Sequence, residues 1–259
     1  MKRLFDTRAI IARRKRLARV DASHYYLLLE IYALLLEKIS GNFNNVLNFG
    51  AHRGELLVSL KEFEALSFEN IVHLDVCHEM LASVSGKKIV VEDDNFELGE
   101  NNFDLVISGM FMHHVNDLVG AFSAIYRSLK VGGMCLISLF GPETLMELKQ
   151  AIFNADDGNG FVPRVSPFIH IKDAGRLIQR VGFVLPVVTS EKVVVEYSSV
   201  DKLFTDIHAT AQSSAIFGIN YGMTTMGTLK RIITEYERLC PDGIKATFEV
   251  LALVAMKGA

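Results

Sequence analysis

The sequence holds no CxxC pair, and its three cysteines, Cys77, Cys135 and Cys240, lie far apart. That spacing argues against a zinc site or a disulfide framework. It suits a reducing, cytoplasmic setting in which the thiols are small buried residues. No run of about 18 apolar residues is free of charge, so no helical membrane span is read. Internal repeats and low-complexity linkers are also missing, and 259 residues fit one large domain or one domain with an insertion. Charged residues make up only 22% of the chain against 50% hydrophobic, enough apolar material for a substantial core, which excludes global disorder.

The net charge is −3, but it is unevenly spread. Lys2, Arg3, Arg8, Arg13, Arg14, Lys15, Arg16 and Arg19 open the chain against a single acid, Asp6, so the remainder is acidic on balance. Three readings stand side by side: a solvated helix face, an Arg-rich targeting peptide, and a docking surface for an acidic partner. Little serine accompanies the basic run and it contains an acid, which counts against the second. No aromatic residues interleave with it, which counts against nucleic acid.

From about Ala22 to Ile39 a leucine-rich run without Gly or Pro predicts a helix, closed by Ser40-Gly41-Asn42. A strand–helix rhythm follows. Asn45–Phe49, Asn70–Asp75, Lys88–Glu92, Asn102–Ser108 and Met134–Phe140 read as strands. Helices are expected from Glu55, over His78–Ser83 and over Asp117–Leu129, with Lys130–Gly133 as a turn. Such alternation predicts an α/β fold with a parallel, doubly wound sheet. Further on, Pro142–Asn154, Asp173–Val181, Val200–Ala211 and Thr228–Leu239 read as helical and Asp156–Pro163 as a loop. Phe183–Tyr197 is β-rich, and Thr247–Met256 closes the chain as a strand.

The first strand–turn–helix carries the chemistry. Gly50 and Gly54 sit in a turn where backbone can approach a nucleotide-type ligand at a helix N-terminus. Asp75 follows about 20 residues on, at the tip of the second strand, where a carboxylate can accept from two ribose hydroxyls. Asp93 and Asp94 come after the third strand, placed for an adenine amino group, and Ser108 ends the fourth.

On these residues the sequence resembles class I (Rossmann-like) S-adenosylmethionine-dependent methyltransferases. VLNFGAHRGEL resembles their motif I, HLDVCHEML the ribose-binding segment, NNFDLVISGMFMHHVNDL the fourth-strand motif and SLKVGGMCLISLFG the fifth-strand entry. More narrowly, it is similar to the biotin-pathway malonyl-acyl-carrier-protein O-methyltransferases. It is also similar to the related assembly factors of respiratory complex I that hydroxylate an arginine. The stretches LFDTRAIIARRKRLA, FGPETLMELKQAI, RVSPFIHIKDAGRLIQRVGFVLPV and ATFEVLAL resemble the assembly-factor branch more closely.

The resemblance implies a seven-stranded doubly wound sheet with an N-terminal helix and a helical insertion before the last strand. Residues 1–40 would form a basic segment and cap helix, and 41–259 a methyltransferase-like domain with a helical lid at about 198–240. It implies S-adenosylmethionine as cofactor, contacted by Asn48, Gly50, Ala51, Gly54, Asp75, Val76, Asp94, Asn95 and Ser108. Three residues depart from motif I. Asn48 replaces the usual acid, Ala51 a small cysteine and His52 the second glycine, where a side chain would clash if the ligand approaches closely or φ is positive.

His113 and His114 follow the fourth strand, where related families read His-Trp or Gln-Trp, so His114 departs. They are candidates for substrate positioning or a general base, against a reading as rim histidines. No third ligand stands at metal-like spacing, so no metal site is read. Tyr25 and Tyr26 read as core packing of the cap helix rather than cofactor contacts. Arg164, Lys172, Arg176 and Arg180 could hold a substrate carboxylate or simply be solvated charge. The MTTM run at Met223–Met226 could line an acyl channel or fill core.

Three functions are weighed. The first is O-methylation of a malonyl-carrier carboxylate, with the acyl-carrier protein docked on the basic segment. The second is a complex I assembly factor acting on an arginine of a respiratory subunit, and the third a methyltransferase-fold binding module that has lost its cofactor.

Overall fold

The computed structural model describes residues 3–19, 22–63, 66–91, 95–155, 164–210, 214–217 and 225–259. Asp93, Asp94, Asp156–Pro163 and Met223 lie outside them.

Seven strands form one sheet in the order β3-β2-β1-β4-β5-β7-β6. They are β1 (Gly41–Phe49), β2 (Leu66–Asp75), β3 (Lys87–Val90), β4 (Phe103–Ser108), β5 (Leu129–Phe140), β6 (Phe183–Tyr197) and β7 (Ile244–Lys257). Pairings from β3 through β5 are parallel, while β7 is antiparallel to both β5 and β6. The sheet is therefore wholly parallel but for β7, an exception to the all-parallel sheet that strand–helix alternation predicts.

The central strands are buried on both faces, as their near-continuous apolar runs require. In β4, Leu105 and Ile107 join one core while Val106 joins the other. The first core is closed by α2 (Tyr26–Leu36), α5 (Met146–Asn154), α7 (Val200–Ala209) and α8 (Met226–Leu239), and the second by α4 (Leu118–Ser128) and α6 (Ile171–Val181). The chain winds outward from β1 to β3 and then restarts at β4 on the other side. The carboxyl ends of β1 and β4 thus flank a topological switch point, where open α/β sheets bind ligands.

Three local expectations are corrected, while the basic opening is helical, as one of its three readings had it. The basic opening folds as α1 (Thr7–Leu17), with Asp6 capping it by accepting from Ala9 N. Lys130–Gly133 is not a turn between elements but part of β5, where the ladder with β4 shifts register and Gly132 takes φ +79°. His78–Ser83 forms only a 3-10 turn at Met80–Ser83. The helix expected from Pro142 begins at Met146, because Gly141 N and Leu145 N are already bonded to Glu249 O and Thr247 O of β7. Cys77 and Cys135 are buried thiols and Cys240 is half-buried, none in a disulfide.

Candidate active site

The turn after β1 is shaped by backbone rather than side chains. Gly50 N and Ala51 N both donate to Leu74 O of β2 at 2.8 Å, which locks the turn beside the end of that strand. Gly50 has φ +77°, and a Cβ there would lie 2.2 Å from Phe111 Cβ. Gly54, at φ +93°, leads into the short helix α3 (Glu55–Ser59). Between them His52 is held at φ +51° although it is not glycine, a conformation that costs about 1–2 kcal/mol for an L-residue. What compensates is a set of bonds to the site itself.

Asp75 ends β2 with no exposed surface. Its Oδ1 accepts from Cys77 N at 3.0 Å and Arg14 Nε at 3.1 Å. Its Oδ2 accepts from His52 N at 3.0 Å and from Arg14 Nη2. A carboxylate offers about four acceptor positions, so Asp75 is saturated. Arg14, 1% exposed, reaches in from α1 and also lies over the Phe111 ring at 5.4 Å. Its Nη2 stands 3.3 Å from His52 Nδ1, and His52 Nε2 stands 3.2 Å from Gly109 O. Because a guanidinium only donates and a carbonyl only accepts, the network assigns Nδ1 as acceptor and the proton to Nε2. His52 is therefore neutral, and burial with the Arg14 charge beside it holds its pKa well below the ordinary value.

The far wall is the end of β4. Ser108 is buried and its hydroxyl has no hydrogen-bond partner among the described residues. A Cβ on Gly109 would meet the Tyr32 ring of α2 at 2.6 Å, so Tyr32 closes that side. His113 and His114 follow, both buried, with ring centroids 4.3 Å apart. His113 packs on Phe140 at 4.6 Å and Phe168 at 5.9 Å, and His114 on Phe5 at 6.1 Å. His114 is held well below its usual pKa by burial, then by the charges of His113 and Arg14. Beyond Phe168 opens a cleft of about 790 Å³ lined by Pro142, Met146, Lys149, Ile152 and Arg164 among others.

Bonds of Gly50 N and Ala51 N to Leu74 O, of His52 N to Asp75 and of His52 to Gly109 O bring the turn after β1, the end of β2 and the end of β4 with Ser108 side by side. Of the other expected contacts, Asp94 lies outside the described residues, and Asn48 and Asn95 bond elsewhere. The Asn48 amide lies 3.2 Å from His73 Nδ1 on the neighbouring strand rather than turning to Asp75, since Asn48 and His73 are register partners. Asn95 is exposed and bonds Glu97. Tyr25 packs under Arg53, whose guanidinium lies 4.1 Å over its ring, and Tyr26 bonds Tyr197. Arg14, Phe111 and Tyr32 line the crevice without having been expected there. Arg14 could have been found from the Thr7, Ile10, Arg14 spacing, which is one helix face.

Three histidines held below their ordinary pKa, His52, His114 and His73, set a pH dependence. Each has an ordinary unfolded pKa and a depressed folded one, so below pH about 6.5 the unfolded state takes up the extra protons. Stability is full above that pH. It is expected to fall with acidification, by up to about 1.4 kcal/mol per pH unit per histidine, until the folded pKa is passed. Urea unfolding from pH 8 to pH 5 checks this. His52→Asn, which tolerates φ +51°, should remove its share of the acid slope and leave that of His114 and His73.

Residues 47–137 match the methyltransferase domain family. Over that stretch the chain is similar to methyltransferase domains, and its fold is of their Rossmann-like class. It is 31% identical over 266 residues to the mitochondrial arginine-hydroxylase NDUFAF5 of Dictyostelium discoideum, covering 90% of this chain and 60% of that protein. A malonyl-[acyl-carrier protein] O-methyltransferase of Gallionella capsiferriformans is 31% identical over 62% of this chain and 55% of that protein. The chain therefore spans just over half the length of these two relatives. In three dimensions the YcgJ protein of Bacillus subtilis superposes with a TM-score of 0.60 at 13% identity, over 89% of this chain and 99% of that one, a likeness of fold. The ribose-binding role expected of Asp75 can be tested against its donor set. Without Arg14, Asp75 keeps its two backbone donors and has two acceptor positions left, the number a vicinal diol needs. The residues present therefore fit the sugar of S-adenosylmethionine, provided Arg14 leaves.

Proposed function

We propose that this chain is an S-adenosylmethionine-dependent methyltransferase acting on a group carried by a protein partner. The observation behind the proposal is Asp75, buried at the end of β2 and oriented by His52 N and Cys77 N within the stretch that is similar to methyltransferase domains. When bound, the cofactor supplies an electrophilic methyl group. The chain's task is then to grip the sugar through Asp75, align the acceptor and exclude water. Phe5, Phe140 and Phe168 pack around His113 and His114 and form a dry wall there. An acceptor carboxylate needs no base. A nitrogen acceptor must shed a proton, and His114, held well below its ordinary pKa by burial, is a weak base for that step.

Two acceptors are supported by different observations. The cleft beyond Phe168 is mostly apolar and carries Lys149 and Arg164, which suits an acyl chain ending in a carboxylate, as on a malonyl-acyl-carrier protein. The second is a protein arginine, favoured by the arginine-hydroxylase relative matching 90% of this chain where the carrier methyltransferase matches 62%. Incubation with methyl-labelled cofactor and malonyl-carrier should yield a labelled methyl ester on the first reading. Capture of a respiratory-complex subunit, with label on a side chain, is expected on the second. Absence of label on either substrate, with no S-adenosylhomocysteine formed, would sink the methyltransferase assignment.

A further inference from the structure

We infer that α1 is a latch: Arg14 occupies Asp75 in place of the cofactor's ribose, and a nucleoside ligand enters only when α1 lifts. The inference rests on the ribose-binding role of Asp75 proposed above. It starts from the match in donor count. Arg14 presents two adjacent N–H groups, Nε and Nη2, one to each oxygen of Asp75, as the two hydroxyls of a ribose would. Asp75 does not need Arg14 for orientation, because backbone amides of residues 52 and 77 already hold both oxygens. The two ligands are mutually exclusive on a carboxylate with about four acceptor positions.

The helix that delivers Arg14 is built to be displaced. Its buried residues are Thr7, Ile10 and Arg14, so its apolar anchors are few: Ile10, packed with Phe5 and Ala215, and the half-buried Ile11. The remaining hold is a polar clip at its entrance. Asn116 Oδ1, just beyond the His113–His114 pair, accepts from Leu4 N at 2.8 Å and Phe5 N at 2.7 Å. On the other side Asp6 N donates to Ala215 O and Phe217 N to Leu4 O, both at 2.7 Å. Arg13 adds a 2.8 Å bond to Ser214 O, and exposed Lys15 pairs with Glu79. An element with few apolar contacts and many exposed bonds opens locally at low cost. The same clip ties α1 to residues 214–217 between α7 and α8, so lifting α1 also loosens the segment facing the cleft beyond Phe168, where Ile216 is a lining residue.

If only the open fraction binds, the apparent Kd is the intrinsic Kd divided by that fraction. Asn116→Ala and Phe5→Ala loosen the clip without touching Asp75, His52 or the turn after β1. Titration calorimetry of the full chain with S-adenosylhomocysteine should find both variants binding at least fivefold more tightly than the parent. Arg14→Gln, which removes the competing charge, should bind more tightly still. Amide hydrogen exchange over residues 7–17 should be faster in the two clip variants before ligand is added. Asp75→Asn serves as the control for the site itself. Parent-like or weaker binding by Asn116→Ala, Phe5→Ala and Arg14→Gln, with Asp75→Asn impaired, overturns the latch and leaves the nucleoside site standing. Absence of binding in every variant, or Asp75→Asn binding like the parent, overturns the nucleoside site and the latch with it.

Discussion

Asp75→Ala is expected to lower the stability of the free protein by about 3–5 kcal/mol, because removing one partner of a buried pair leaves the other charged and uncompensated. Arg14 would remain 1% exposed with its Nε and Nη2 deprived of their acceptor. His52 N and Cys77 N would lose theirs as well, and the strained backbone at His52 would lose a bond that holds it. For a chain of this size each kcal/mol shifts Tm by about 2–4 °C. A fall of roughly 6–20 °C should therefore be seen by calorimetric melting. Arg14→Met alone should cost less, because Asp75 keeps two backbone donors. The double variant Asp75→Leu/Arg14→Met removes both charges together and should recover much of the loss. A double-mutant cycle showing no coupling between positions 14 and 75 would contradict the geometry.

The reading of the sequence located the turn and the strand tip because their placement depends on chain-local spacing. Gly50, Gly54 and Asp75 are recoverable because a turn and the tip of the next strand lie at a fixed distance in any strand–helix–strand unit. It failed where the partner comes from far away. Arg14 is 61 residues from Asp75, and although its spacing from Thr7 and Ile10 puts it on the inward helix face, nothing local says which residue it meets. The solvated-face reading is right for Arg8 and Lys15 and wrong for Arg14. Asn48 shows a different limit. Its departure from the expected acid is visible in the sequence, but its engagement with His73 depends on the β1–β2 register, which only the assembled sheet provides. Lys130–Gly133 reads as a turn because two glycines and a lysine have turn chemistry. Between two hydrogen-bonded strands the same residues make an irregularity in β5, pinned by Lys130 Nζ on Asp104 Oδ1 at 2.8 Å.

The turn after β1 yields the second large effect. Gly50 and Gly132 have nearly the same φ, +77° and +79°, so an alanine at either place meets the same backbone strain of about 1–2 kcal/mol. Their surroundings differ. Nothing lies within 4 Å of a Cβ built on Gly132, whereas one on Gly50 would lie 2.2 Å from Phe111 Cβ and 2.6 Å from its Cδ2. Phe111 is 4% exposed, packs against Phe49 at 5.5 Å and supports the Arg14 guanidinium, so its backbone-proximal atoms cannot swing aside. Overpacking of that kind adds about 1–3 kcal/mol. Gly50→Ala is therefore expected to lose about 2–5 kcal/mol in urea unfolding while Gly132→Ala loses only the strain. Combining Gly50→Ala with Phe111→Gly, which removes the Cβ as well as the ring, separates the two contributions. The steric part should appear as coupling between the two positions, and the strain should remain in the double variant. Equal losses at positions 50 and 132 would mean that Phe111 does not close the crevice, and the aromatic face on which Arg14 rests would have to be placed elsewhere.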